Sequence, residues 1–174
     1  MNAPAQKISV ASDQPAFLPD PLDKLRIDDL YTRYAECIAD GALESWPEFF
    51  TENCLYQIIP RANFDRGLPV AIMLAESRGA LVDRVVAIRN TMVFGPRVVL
   101  LSFSGIRVIS SSDAMLDVRA TFTVFHTQVD GVTKLLMAGR TFDRVNTGSG
   151  PWQFAARVAV YDTELLPATV IYPV

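Results

Sequence analysis

His126 is the only histidine in the chain, and a lone histidine sets a low ceiling on the chemistry that side chains here could perform. It follows Leu116, Val118, Ala120, Phe122 and Val124 in the same alternating phase, so it extends the inward face of a strand, where it could act as a general base. A structural histidine, hydrogen-bonded at a strand end, is the commoner role for such a residue. Asp29, Glu36 and Asp40 fall on one helical segment and are further candidate bases, each more often a solvated or capping residue; no pair among them is fixed by spacing. Metal chemistry is judged by counting ligands. A Rieske centre takes two cysteines and two histidines, and a mononuclear iron triad takes two histidines and a carboxylate. One histidine builds neither. Cys37 and Cys54 lie in different elements without metal-type spacing, which reads as two free buried thiols. No glycine loop for phosphate and no nucleophile elbow around Ser102, Ser104 or Ser110 to Ser112 is present. The sequence therefore leads to no catalytic, cofactor-binding or metal-binding residue in this chain.

The elements that would position these residues are legible in order. Residues 1–19 mix Ala, Pro, Ser, Gln and Asp around isolated apolar residues and read as a flexible arm. Residues 20–174 then form one α+β domain. Asp20-Pro21 is an N-cap followed by proline at the first helical position, and Leu22, Leu25, Ile27, Leu30, Tyr31, Tyr34, Cys37 and Ile38 make a broad apolar face ending at Gly41. Ser45 and Glu48 have capping-box spacing for a short helix ending in Phe49-Phe50. A strand is expected from Cys54 to Ile59, a polar loop over Arg61 to Gly67, a short strand over Leu68 to Leu74, and a helix capped by Ser77 over Ala80 to Asn90.

Four long strand candidates follow with only turns between them. These are Arg97 to Ile109, turned by Ser110 to Asp113; the alternating run through Val124; Lys134 to Val145, reached by a tight Asp130-Gly131 turn; and Trp152 to Asp162. Gly139 suggests a bulge, and Trp152, Phe154, Ala156, Val158 and Val160 are expected on one face. Arg97, Arg107, Arg119, Arg140 and Arg157 read as outward sheet residues. Helices followed by a long meander give a curved antiparallel sheet with the N-terminal helices on its concave face. The cone-shaped, nuclear-transport-factor-like (cystatin-like) fold fits this order.

Bulk properties narrow the class. A net charge of -3 and a pI near 5.1, with scattered Lys and Arg, offer no footprint for nucleic acid. No apolar run approaches the roughly eighteen residues of a membrane helix, and the N-terminus lacks signal-peptide character, so a cytoplasmic protein without a membrane partner is expected. Half the residues are hydrophobic at a mean hydropathy of +0.22, which hints at surface buried against other chains.

Trp46-Pro47-Glu48-Phe49-Phe50-Thr51-Glu52-Asn53-Cys54-Leu55-Tyr56, with Gly67-Leu68, Ala75-Glu76-Ser77 and Leu81-Val82-Asp83-Arg84, resembles the small (beta) subunit of Rieske-type aromatic-ring-hydroxylating oxygenases. The look is closest to the terephthalate, salicylate and anthranilate systems. The resemblance implies a structural subunit in a heterohexamer with a large (alpha) subunit and further copies of itself. In that arrangement the large subunit carries the [2Fe-2S] cluster and the mononuclear iron, and alone meets the reductase or ferredoxin. Val98 to Leu101 and the Tyr172-Pro173-Val174 ending depart from the family pattern. Two alternatives remain from the residues themselves: a stand-alone cone-fold isomerase or dehydratase, similar to ketosteroid isomerase or scytalone dehydratase, and a non-enzymatic ligand-binding module. The apolar stretch Leu165 to Tyr172 packs either on its own domain or on a neighbour.

Overall fold

Proline at N1, an aspartate cap and a repeating apolar stripe nucleate the first helix, and the rest of the chain curls a sheet around it. In the computed structural model, which describes residues 18–129 and 131–174, α1 spans Pro21–Ala39 and Asp20 accepts the Leu22 N–H at 2.8 Å. The expected arm lies almost wholly outside the described residues. Ile27, Leu30, Tyr31, Tyr34, Cys37 and Ile38 are buried, whereas Leu22 and Leu25 are exposed, so the packed face is narrower than the sequence stripe. Gly41 closes the helix at φ +68°, the left-handed conformation a glycine adopts without steric cost.

A 3₁₀ segment, Leu43–Phe49, follows in place of the expected Ser45-capped helix. Its cap position is Ala42, with no side-chain hydrogen bond. Pro47 cannot donate to a continuing helical ladder, and burial of Leu43 and Trp46 fixes the turn instead. The first strand, β1, runs Phe50–Pro60. The expected loop after Pro60 contains a short helix, α2 (Arg61–Asp65), and the apolar run 68–74 contributes to the sheet only through β2 (Met73–Ala75). Helix α3 spans Arg78–Asn90, and Ser77 accepts the Ala80 N–H as expected.

Strands β3 (Arg97–Ser112), β4 (Met115–Gln128), β5 (Lys134–Asn146) and β6 (Gln153–Tyr161) form the expected antiparallel meander in a six-stranded sheet of order β2-β1-β6-β5-β4-β3. The pairing of β1 with β6 is parallel and has no counterpart in the sequence reading. The serines expected to turn belong to β3, and the turn falls at Asp113, φ 51°. Gly105, φ +59°, sits in a register shift between Ser104 and Arg107 that bends β3. The β4–β5 connection is wider than a two-residue hairpin, because the closing pair is His126 with Lys134; Asp130 lies outside the described residues.

Gly139 is not at a bulge. It pairs with Phe122 and Tyr161, and the register shift falls at Leu136. A Cβ on Gly139 would lie 2.0 Å from the Val160 carbonyl oxygen, so the glycine is required by close backbone approach. The concave face of the sheet, α1, the 3₁₀ segment and α3 enclose the main core, which includes Trp46, Phe50, Tyr56, Phe122 and Phe154. A smaller cluster of Ile59, Val158 and Val160 lies on the convex face, packed with Phe64 of α2 and Phe142.

Candidate functional site

In a cone of this kind, the volume between helices and concave sheet is the place where a ligand could be enclosed. Its floor is a row of inward residues across neighbouring strands: Tyr56 on β1, Arg157 on β6, Asp143 on β5 and Val118 on β4. Arg157 and Asp143 are the charged pair in this row, and both side chains are fully buried.

The sequence reading placed Arg157 on the outside, and the structure overturns this. Ala155 is an extra residue between the pairs Val145–Phe154 and Arg144–Ala156, and it reverses the phase of β6. Phe154, Arg157, Ala159 and Tyr161 therefore belong with the inner core or its polar floor, while Val158 and Val160 join the convex cluster. The expected single face from Trp152 to Val160 is split at that bulge. Arg107 and Arg140 are exposed, and Arg119 lies over the Phe142 ring at 5.3 Å.

Arg157 donates to Asp143 through two points, Nε to Oδ1 at 3.1 Å and Nη2 to Oδ2 at 3.0 Å. Tyr31 of α1 donates its hydroxyl to the same Oδ2. Four rings surround the guanidinium, at 3.9 Å for Phe154, 4.2 Å for Tyr34, 4.8 Å for Tyr31 and 4.9 Å for Phe103. Burial alone would lower the Arg157 pKa, but the Asp143 charge, the Tyr34 and Tyr31 hydroxyls and the hydrogen bonds to Asp143 together outweigh it, and the net shift is upward. Burial, then Asp143, hold the Tyr31 hydroxyl well above its ordinary value, so it remains a donor. The cluster is a cation held by one carboxylate and an aromatic cage. Asp143 lies on the inward phase with Thr141 and Val145, and this alternation is the sequence signal that could have located it.

The mouth of the concave face is closed by the chain's own final segment. Ile171 and Val174 are buried, and Leu166, Ala168, Val170 and Tyr172 pack against the core of their own domain, while Leu165 is 89% exposed. Trp46 Nε1 donates to Tyr34 Oη at 2.9 Å, and Tyr34 donates to the Val174 oxygen at 2.9 Å. Val174 N donates to Tyr56 Oη at 2.9 Å. The space left beside this segment, lined by Val99, Val124, Leu136 and Ile171 among others, is about 10 Å³, room for a single water at most.

The candidate bases line neither the gap beside the closing segment nor the recess between β2 and α3. Asp29 is exposed and paired with Arg33 at 2.7 Å, Glu36 is exposed, and Asp40 is the exposed C-cap residue of α1. His126 is buried on β4 between Val99 and Lys134, as its phase predicts, yet among the described residues neither ring nitrogen has a hydrogen-bond partner. No described group therefore fixes its tautomer or aims it at a substrate. Cys37 and Cys54 are free and buried, as expected. Among the described residues no group of three His, Cys, Asp or Glu could hold a metal ion, and no helix is long and apolar enough to cross a membrane.

A curved sheet with helices in its concavity, and an interior filled by its own side chains and closing segment, defines a cone-fold domain of the nuclear-transport-factor type. Residues 33–168 match the family described as ring hydroxylating beta subunit, and the chain belongs to that family. The chain is 30% identical to the anthranilate 1,2-dioxygenase small subunit of Burkholderia cepacia, over 83% of this chain and 90% of that one. It is 29% identical to a beta subunit of the terminal oxygenase component of terephthalate 1,2-dioxygenase from Comamonas sp, over 87% and 99%. Among solved structures, the beta subunit of a protein assigned as an aromatic-ring-hydroxylating dioxygenase from Novosphingobium aromaticivorans superposes with a TM-score of 0.80 at 34% identity, covering 88% of this chain and 97% of that one.

Proposed function

We propose that this chain is the non-catalytic small subunit of a cytoplasmic Rieske-type oxygenase that hydroxylates an aromatic acid, and that it braces the large subunit within a heterohexamer. The observation that carries this reading is the filled cone. Where a stand-alone enzyme would hold its substrate, this chain has the caged Arg157–Asp143 pair and the docked segment through Val174. Membership of the beta-subunit family and the named small-subunit relatives support the same reading. The [2Fe-2S] cluster, the mononuclear iron and the contact with a reductase or ferredoxin then belong to the large subunit. Co-expression with the large subunit of the same complex tests the proposal. The two chains are expected to co-purify in equal numbers and the small chain alone to turn over no aromatic acid. A chain that never co-purifies, or that shows turnover by itself which His126→Ala abolishes, would overturn it.

A further inference from the structure

Outside the closed interior, the molecule has one larger recess among its described pockets, a trough of about 410 Å³ between β2 and α3. Trp46 and Tyr56 lie at its floor, Ile72, Met73 and Leu74 form one wall, and Asp83 and Arg84 of α3 form the other. Two features separate it from an ordinary surface dent. The first is Arg84. Its Nη2 donates to the Ile171 carbonyl at 3.2 Å, but among the described residues its Nε is buried without a partner and no carboxylate lies in ion-pair range. Burial lowers the Arg84 pKa, with only a partial counter-effect from Tyr56. A partly buried cation whose one partner is a neutral carbonyl is an incomplete arrangement. Arg157 also leaves one buried nitrogen, Nη1, without a partner among the described residues, but it holds the Asp143 carboxylate at two points, which Arg84 lacks.

The second feature is the wall. Ile72 and Leu74 are exposed to 45% and 53%, and among the described strands β2 pairs only with β1 and forms the edge of the sheet. The neighbouring Asp83 is exposed and makes no ion pair with Arg84. The two opposite charges are thus adjacent in sequence yet unspent on each other. An aromatic acid alone is a poor match, because a trough this open would bury too little of it. A protein segment supplies the apolar area, the strand edge and the charges together.

We propose that the trough between β2 and α3 is a docking site for the large subunit, which inserts a carboxylate side chain against Arg84 and sets a basic group by Asp83. The inference rests on the reading of this chain as an oxygenase subunit, and names the surface that the reading leaves open. Arg84 anchors and orients the insertion, while Ile72 and Leu74 supply the dry contact.

The test uses wild type, Arg84→Gln, Arg84→Lys and Leu74→Asp, each co-expressed with the large subunit, and each also purified alone. Purified alone, the variants are expected to keep the wild-type circular dichroism. In co-purification, Arg84→Gln and Leu74→Asp are expected to recover at least about tenfold less complex, the loss of about 1.4 kcal/mol or more, with Arg84→Lys intermediate. Full recovery with both Arg84→Gln and Leu74→Asp overturns the inference and leaves the subunit reading intact. Failure of the wild type itself to co-purify overturns the subunit reading and this inference with it. Should Arg84→Gln misfold, the exposed Leu74→Asp decides alone. If the isolated chain self-associates and Arg84→Gln abolishes only that, the occupant is a second copy and the inference is wrong.

Discussion

Asp143 and Arg157 are direct cross-strand partners on β5 and β6, joined at 3.1 Å and 3.0 Å with no solvent exposure of either side chain. Breaking such a pair leaves an unbalanced charge in the core, which costs about 3–5 kcal/mol. Asp143→Ala and Arg157→Ala are each expected to fall in that range by urea unfolding. The volume-conserving double change Asp143→Leu with Arg157→Met is expected to lose less than either single change. Equal and additive losses would show that the two side chains act independently.

Glu44 and Arg89 make the corresponding pair on the surface. Arg89 donates to both Glu44 oxygens, at 2.7 Å and 2.9 Å, and to the Gly41 carbonyl, tying α3 to the turn after α1. The hydrogen bonds from Arg89 lower the Glu44 pKa to about 2. A carboxylate with a depressed folded pKa contributes stability above its unfolded value, and loses it as pH falls through the folded one. Melting temperatures of wild type and Glu44→Gln are therefore expected to converge between about pH 4.5 and pH 2. Salt is expected to narrow their difference at neutral pH, because the carboxylate is exposed. A gap that is unchanged down to pH 2 would remove Glu44 as its cause.

Both cysteines are shielded by position and by protonation. Burial, followed by Asp40 and nearby glutamates, raises the Cys37 pKa to about 11, and burial also raises that of Cys54. Since the thiolate is the reactive species, native alkylation at pH 8 is expected to run at least about tenfold slower than in urea. The Cys37 rate is expected to keep rising with pH toward 11. Immediate reaction of both thiols at neutral pH would contradict this environment.

How far the chain announced this architecture depends on the element. The α1 cap, the Ser77 cap and the alternating face of β4 were legible because each is a local pattern with a local cause. The Leu68 to Leu74 run failed as a strand because β pairing is decided by a neighbour, and β1 offers partners only from Met73 to Ala75. Arg157 was hidden by a bulge at Ala155, since period-two reasoning carries one phase through a strand and a single extra residue reverses it. The candidate bases could be named, but their convergence is a tertiary property. Asp29 and Asp40 turned outward on a helix whose other face is the one that packs.

Gly139 and Gly105 separate two reasons for glycine. Gly105 has a left-handed backbone and open space around its missing Cβ, so Gly105→Ala is expected to cost about 1–2 kcal/mol. At Gly139 the added carbon would meet the Val160 backbone at 2.0 Å. Gly139→Ala is therefore expected to cost more than about 3 kcal/mol, the upper end for overpacking, or to prevent soluble expression. Comparable losses at the two sites would mean that β5 and β6 can separate locally.

Tyr34 stands between two elements that close the cone, accepting from Trp46 Nε1 and donating to the Val174 oxygen, each at 2.9 Å. Tyr34→Phe keeps the ring that packs on Arg157 while removing both hydrogen bonds. The Trp46 N–H is then left unsatisfied in a fully buried position, whereas Val174 retains its contact with Tyr56. A loss of about 1–3 kcal/mol is expected, the usual cost of one orphaned buried donor. If the closing segment is held chiefly through Tyr34, amide exchange at Ile171 to Val174 will also accelerate in the variant. If Tyr56 and Arg84 hold it, exchange there will stay near wild type while global stability falls. Removal of residues 168–174 separates packing from hydrogen bonding. It uncovers Val99, Val124 and Leu136, which line the present 10 Å³ gap, and a chain opened in this way is expected to bind an apolar dye that the intact protein excludes. An intact-like dye response would show that the sheet collapses over the vacated mouth.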